Sequence, residues 1–209
     1  MPIRLRTLTL IILIAVAACA ATTTFTSTWR APDVPAISPV GKTVATVFVS
    51  RDESKRRAGE DAMARSINAF GGHGLPAYTV LPNEAAENAD TARAKLKEAG
   101  ANGVVTMRVV GKDQQVTYTP GYTAPSYYGG FGPYWGYGWG TVSSPGYLQT
   151  DTLVSVETLV YSLDRDKLLW ASTSRTTNPE NLDSLIKEIA DATANEMVKQ
   201  GLLAPPPGK

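Results

Sequence analysis

A chain of 209 residues with 43% hydrophobic content has the length of one domain and the composition of an ordinary globular protein, which excludes both wholesale disorder and a multi-span membrane protein. Lys and Arg number 20 against 19 Asp and Glu, a formal net charge of +1, and the densest basic patch is Lys55-Arg56-Arg57. Nucleic-acid binding needs a basic face to neutralise phosphates, so no nucleic-acid partner is expected.

The first 18 residues have the three parts of a secretory signal. Arg4 and Arg6 are positive, Leu8 to Val16 is apolar but too short to span a bilayer well, and Ala17 and Ala18 are small. Val16-Ala17-Ala18-Cys19 resembles the bacterial lipoprotein signal of aliphatic, small, small, cysteine. That resemblance implies removal of residues 1–18, acylation of Cys19 and attachment to a membrane through the lipid. More than one acyl chain is what makes such attachment stable. Ala20, where Asp would favour retention at the inner membrane, implies an outer-membrane lipoprotein facing the periplasm.

Residues 19–41 are expected to be a Pro-rich, lipid-anchored tether. Ala20 to Thr28 is small and hydroxylated with no apolar period, and Pro32, Pro35 and Pro39 disfavour a packed element. Trp29 is expected to dock on the domain that follows. That domain, residues 42–203, opens with a strand from Thr43 to Val49. Ser50 and Glu53 have capping-box spacing for a helix through about Phe70, with Met63, Ile67 and Phe70 on one face and Gly71-Gly72 as its stop. A short strand is predicted at Ala77 to Leu81, then a helix from Thr91 to Ala99, capped by Asp90 and closed by Gly100. Ala101 to Val110 has the β-branched density of a strand buried on both faces, and Lys112 to Tyr118 can prolong it.

Residues 119–147 form a Gly/Tyr/Trp-rich insertion with six of the nine tyrosines, two of the four tryptophans and no charged residue. Alternation resumes from Leu153 to Leu163. Asp164-Arg165-Asp166 is a turn, and Lys167 to Arg175 is a partner strand. Asn178-Pro179 is expected to cap a last helix carrying Leu182, Leu185, Ile186, Ile189 and Met197 inward, with Gly201 as its stop and residues 204–209 as a flexible tail. The fold class is therefore α/β, a mixed sheet in the order β-α-β-α-β-β-β-α with helices packed on it and the long insertion between the third and fourth strands.

That order resembles periplasmic domains of the TolB amino-terminal type, and the chain is similar to small, uncharacterised, DUF4136-like bacterial envelope lipoproteins. The residues that carry the resemblance are Thr28-Trp29 with Pro32, Arg57 with Glu60-Asp61, Ala101-Asn102-Gly103-Val104 and Trp170. It implies a fold and a place in the envelope, and no activity.

The residues offer no catalytic constellation. His73 is the only histidine and Cys19 is taken by the anchor, so neither a His-rich nor a Cys/His metal site can form. Glu60 and Asp61 diverge by about 100° on a helix and are expected to pair with Arg57 and Arg65. Asp164 and Asp166 flank a turn, where two carboxylates hold calcium weakly at best. Gly136 to Gly140 matches a dinucleotide loop only in glycine count. No cofactor, metal or catalytic residue is assigned. The expected partner-binding residues are Tyr122, Tyr127, Tyr128, Tyr134, Trp135, Tyr137 and Trp139, aromatics suited to an envelope protein or a glycan, set against the plainer alternative that these rings cluster among themselves. The function expected is a non-enzymatic binding or scaffolding lipoprotein of the cell envelope. The alternatives are a cell-wall or glycan hydrolase using Asp151 and Glu157, and a passive stress-related lipoprotein.

Overall fold

The computed structural model describes residues 22–81, 88–119 and 147–204. Six strands form one mixed sheet: β1 (Thr22–Arg30), β2 (Thr43–Phe48), β3 (His73–Pro76), β4 (Gly103–Thr119), β5 (Tyr147–Ser162) and β6 (Lys167–Thr177). Their spatial order is β1-β6-β5-β4-β2-β3. β2 runs parallel to β3 and β4, and the remaining pairs are antiparallel. Helices α1 (Glu53–Ala69), α2 (Ala89–Glu98) and α3 (Leu182–Lys199) pack on it. β2-α1-β3 and β3-α2-β4 step in opposite directions along the sheet. Two crossovers of one hand then place α1 and α2 on opposite faces.

The cores follow this division. Phe48, Met63, Met107, Val156, Ile186 and Ile189 join β2, β4 and β5 to α1 and α3. Leu96 of α2 meets Ala45, Ala77, Ala101, Val104 and Leu163 across the other face. Each strand serves both faces by alternation. Close approach fixes α1 on the sheet: a Cβ on Gly59 would lie 2.4 Å from the Phe48 ring, and one on Gly74 would lie 2.5 Å from Ala64 Cα.

Several boundaries differ from the sequence reading. Asp52, rather than Ser50, caps α1, accepting from the Ser54 and Lys55 amides. Ser50 Oγ accepts from the Asp52 amide instead. Asn88 caps α2, and Asn181 with Ser184 forms the capping box of α3. The strand expected at Ala77 to Leu81 lies at His73–Pro76, with a 3₁₀ turn over Ala77–Thr79 behind it. His73 therefore opens β3.

The largest correction concerns residues 22–30, expected within the tether. They are the edge strand β1, paired with β6 from Thr22↔Thr177 to Arg30↔Trp170. The pairing needs no apolar alternation because its contacts are mixed: Thr23 and Thr176 hydroxyls share a hydrogen bond at 2.7 Å, while Phe25 meets Trp170 edge-on at 5.8 Å. Trp29 stays 47% exposed, so it lies in the sheet without docking.

Candidate functional site

Cys19 and the seven aromatic residues Tyr122, Tyr127, Tyr128, Tyr134, Trp135, Tyr137 and Trp139 lie outside the described residues. The described chain nevertheless defines what leads to each of them. Thr22, three residues after Cys19, pairs with Thr177, which pairs with Leu153, which pairs with Asp113. These four residues form one row across four strands, beyond which only β4 and β5 continue.

Beyond that row β4 and β5 continue alone. Gln114 to Thr119 pairs with Tyr147 to Thr152 as a two-stranded ribbon, about 20 Å long at the rise of an extended strand. Val116, Tyr118 and Leu148 share one face, with Tyr118 directly opposite Leu148. They are 61%, 63% and 69% exposed. The ribbon delivers both ends of the uncharged insertion to its tip. Thr22, where the described chain begins, and the ribbon thus lie toward the same end of the sheet.

The ribbon's base is braced by Asn178, which adopts a left-handed backbone with φ 50°. Its amide donates to the Thr152 carbonyl and its side-chain oxygen accepts from the Thr152 amide, both at 2.8 Å, so it stands in for a missing strand residue. The side-chain nitrogen of Asn178 also donates to Asp151 at 2.7 Å, beside a bond from Gln149 at 3.0 Å. These two donors, Gln149 first, hold the Asp151 carboxyl below its ordinary pKa.

Asp151 and Glu157 do not form a hydrolase pair. Six residues apart on one strand, they are about 20 Å apart, against roughly 5–10 Å for two carboxylates flanking a glycosidic bond. Glu157 is engaged by Arg108 at 3.0 Å. Asp166 pairs with Arg93, and Asp164 lies in the same β5–β6 turn. Among the described residues no group of three or more His, Cys, Asp or Glu could hold a metal.

The acidic pair on α1 is arranged differently from expectation. Glu60 is fully buried and accepts from Arg56 at 3.1 Å and from the Tyr78 amide at 2.6 Å. Arg56 also donates to the Leu81 carbonyl. Burial pushes the Glu60 carboxyl above its ordinary pKa, opposed by the Tyr78 and Arg56 hydrogen bonds. Asp61 instead accepts from the Tyr78 hydroxyl at 3.0 Å. Arg57 pairs with Glu53, and Arg65 pairs with Asp183 of α3. The Arg56–Glu60 pair therefore ties α1 to the turn behind β3. It has no solvent access for a substrate.

The sequence reading missed a cavity of about 400 Å³ beneath α1 and α3. Met63 and Ile67 of α1, Phe70 at its C-terminal cap, and Ala190, Ala194 and Met197 of α3 line it. Thr46, Val105, Thr158 and Val160 line its sheet side, and Ser38, Lys42, Asn102, Ser162 and Arg165 line it where β2 and β4 begin and β5 ends. The one sequence signal for it is Thr158, a hydroxyl at an inward position of the stripe Val154, Val156, Val160.

No protein-family model matches the chain, and no curated protein matches it. Among solved structures it is similar to a PelC dodecamer from Paraburkholderia phytofirmans, at 10% identity and TM-score 0.45, over 88% of this chain and 99% of that one. A variant PelC dodecamer from the same organism gives 15% identity and TM-score 0.44, over 82% and 94%. Lipoprotein GNA1162 from Neisseria meningitidis gives 15% identity and TM-score 0.40, over 76% and 99%.

Proposed function

We propose that this chain is a lipid-anchored, non-enzymatic protein of the bacterial cell envelope, of the DUF4136-like kind, held at the outer membrane by acylated Cys19 and facing the periplasm. In this reading it binds another envelope component through the β4–β5 ribbon and the aromatic insertion. One observation carries the proposal: Thr22 lies in the row of residues from which the ribbon departs. Only Ala20 and Ala21 separate Cys19 from β1, a reach of about 7–10 Å. An anchor at Cys19 therefore sets this end of the sheet against the bilayer surface. The ribbon is then presented where an envelope partner is concentrated by attachment to the same surface. Exposed Val116, Tyr118 and Leu148 supply the apolar contact, and the tyrosines and tryptophans of residues 119–147 suit an interface or a sugar face. Among the described residues no helix is long and apolar enough to cross a membrane.

The test places a photoreactive residue at Thr117 in the full-length chain and compares cross-linked envelope partners with those of the Tyr118→Lys/Leu148→Asp double variant, whose opposite charges face each other across the ribbon. A loss of at least tenfold in cross-linked partner is expected, with folding stability held within about 0.5 kcal/mol, because both side chains are exposed. Unchanged cross-links would sink the binding role of the ribbon. Intact-mass analysis showing unmodified Cys19 would remove the anchor.

A further inference from the structure

The cavity under α1 and α3 stands on different observations from the anchor and the ribbon. Its lining draws on two separate cores of the same sheet face: Met63 and Met107 belong to one, Val160, Leu169 and Met197 to the other, and Val105 packs against both. At about 400 Å³ the cavity falls in the range of ligand pockets, roughly 300–1,000 Å³.

Its chemistry changes along its length. Gly103, Val105 and Met107 are successive inward positions of β4, so the lining runs about 13 Å along the strand. Methionine, valine, isoleucine, phenylalanine and alanine make most of that length. Of the residues that line it, Thr158 is fully buried and Thr193 is 93% buried, and the Oγ1 of neither has a hydrogen-bond partner among the described residues. A buried hydroxyl without a partner is costly, and two in one cavity mark where a ligand oxygen would sit. At the end where β2 and β4 begin, exposed Lys42 and Arg165 form no ion pair among the described residues and outnumber the single carboxylate of Asp164. This end is opposite the row that contains Thr22.

We propose that the cavity binds a single-chain anionic amphiphile. Its apolar body lies between α1 and α3, an oxygen on that body meets Thr158 and Thr193, and its acidic head meets Lys42 and Arg165. The class this describes is an oxygenated fatty acid, of the hydroxy- or keto-acyl type. The space is too small for a helix of a partner protein, whose diameter with side chains is about 10–12 Å over its whole length.

The experiment uses the full chain in nanodiscs with a medium-chain hydroxy fatty acid carrying a diazirine, followed by peptide mapping of the photolabel. Label is expected on the α1 peptide containing Met63, Ile67 and Phe70 and on the α3 peptide containing Ala190 to Met197. The Ala190→Trp variant, which fills the space, removes that label. The exposed Lys42→Glu/Arg165→Glu double variant, which leaves the cores intact, weakens labelling at least fivefold. The proposal is overturned if the wild-type peptides carry no label, or if both variants label like wild type. Competition by the matching unsubstituted acid as strong as by the hydroxy acid overturns the role given to Thr158 and Thr193. Equal competition by a neutral monoglyceride overturns the anionic head.

Discussion

Strands β4 and β5 pass through two environments with one ladder of hydrogen bonds. From Gly103↔Ser162 to Asp113↔Leu153 they lie within the six-stranded sheet, and Val104, Met107, Val156 and Val160 are buried. From Gln114↔Thr152 to Thr119↔Tyr147 they pair only with each other, and Val116, Tyr118 and Leu148 are more than 60% exposed. Pairing and burial are therefore separable. Pairing sets where a strand points, while burial sets what a substitution costs. An isolated two-stranded ribbon is marginal in water, so this one depends on its root in the sheet.

The largest expected effect lies on the buried side. Glu60→Ala removes the buried carboxylate that Arg56 meets at 3.1 Å, while Glu53 stays 3.8 Å from the guanidinium, and it frees the Tyr78 amide, at an expected cost of about 3–5 kcal/mol. Urea unfolding measures it. A cost below about 1 kcal/mol would mean that the pair is solvated, and that the covered half of the sheet is no more demanding than the ribbon.

That pair also shows how far the sequence could be read. Helical period placed Met63 on the inward face of α1, and the glycines at 71, 100 and 201 all adopt positive φ where helix stops were expected. Helix spacing pairs Glu60 with Arg57 at i,i+3 and Asp61 with Arg65 at i,i+4. Which arginine Glu60 meets depends on which side of α1 faces the turn behind β3, and that depends on tertiary packing. β3 itself was displaced because His73-Gly-Leu-Pro76 has little β propensity. Its glycine serves close approach to Ala64. β1 escaped because a Thr- and Ser-rich edge strand buries too little to impose alternation. The central strand was expected to be buried through Val110, yet Val109 and Val110 are nearly half exposed, since the helices cover it only to Met107. The cavity left almost no trace in the sequence, because volume is a property of how α1 and α3 sit across the sheet.

A smaller effect sharpens the boundary between the two environments. Asn178→Gly keeps the left-handed backbone and removes the side-chain bonds to Thr152 and Asp151. The expected cost is about 1–2 kcal/mol. Amide exchange should accelerate at Thr152 and along Gln149 to Asp151, while Val156 and Met107 stay protected. Acceleration of both sets together would join ribbon and sheet into one cooperative unit and erase the distinction.

The smallest effect is one of sign. Burial raises the Glu60 carboxyl above its ordinary value of 4.5, so the folded state holds that proton more tightly than the unfolded chain does. The stability it contributes is full below pH 4.5 and is lost as pH rises through the raised value. Asp151, at the ribbon, is lowered from 3.8 by its Gln149 and Asn178 donors. Its contribution is present above pH 3.8 and is lost as pH falls through the depressed value. Two carboxylates, one in each environment, therefore drive stability in opposite directions on the two sides of pH 4. Urea midpoints measured from roughly pH 3 to pH 7 separate them. Relative to wild type, Glu60→Gln should flatten the decline above pH 4.5, whereas Asp151→Asn should change only the acidic limb. If Glu60→Gln instead runs parallel to wild type above pH 4.5, burial does not govern that carboxyl, and its buried contact with Arg56 holds it charged in the folded state as it is in the unfolded one.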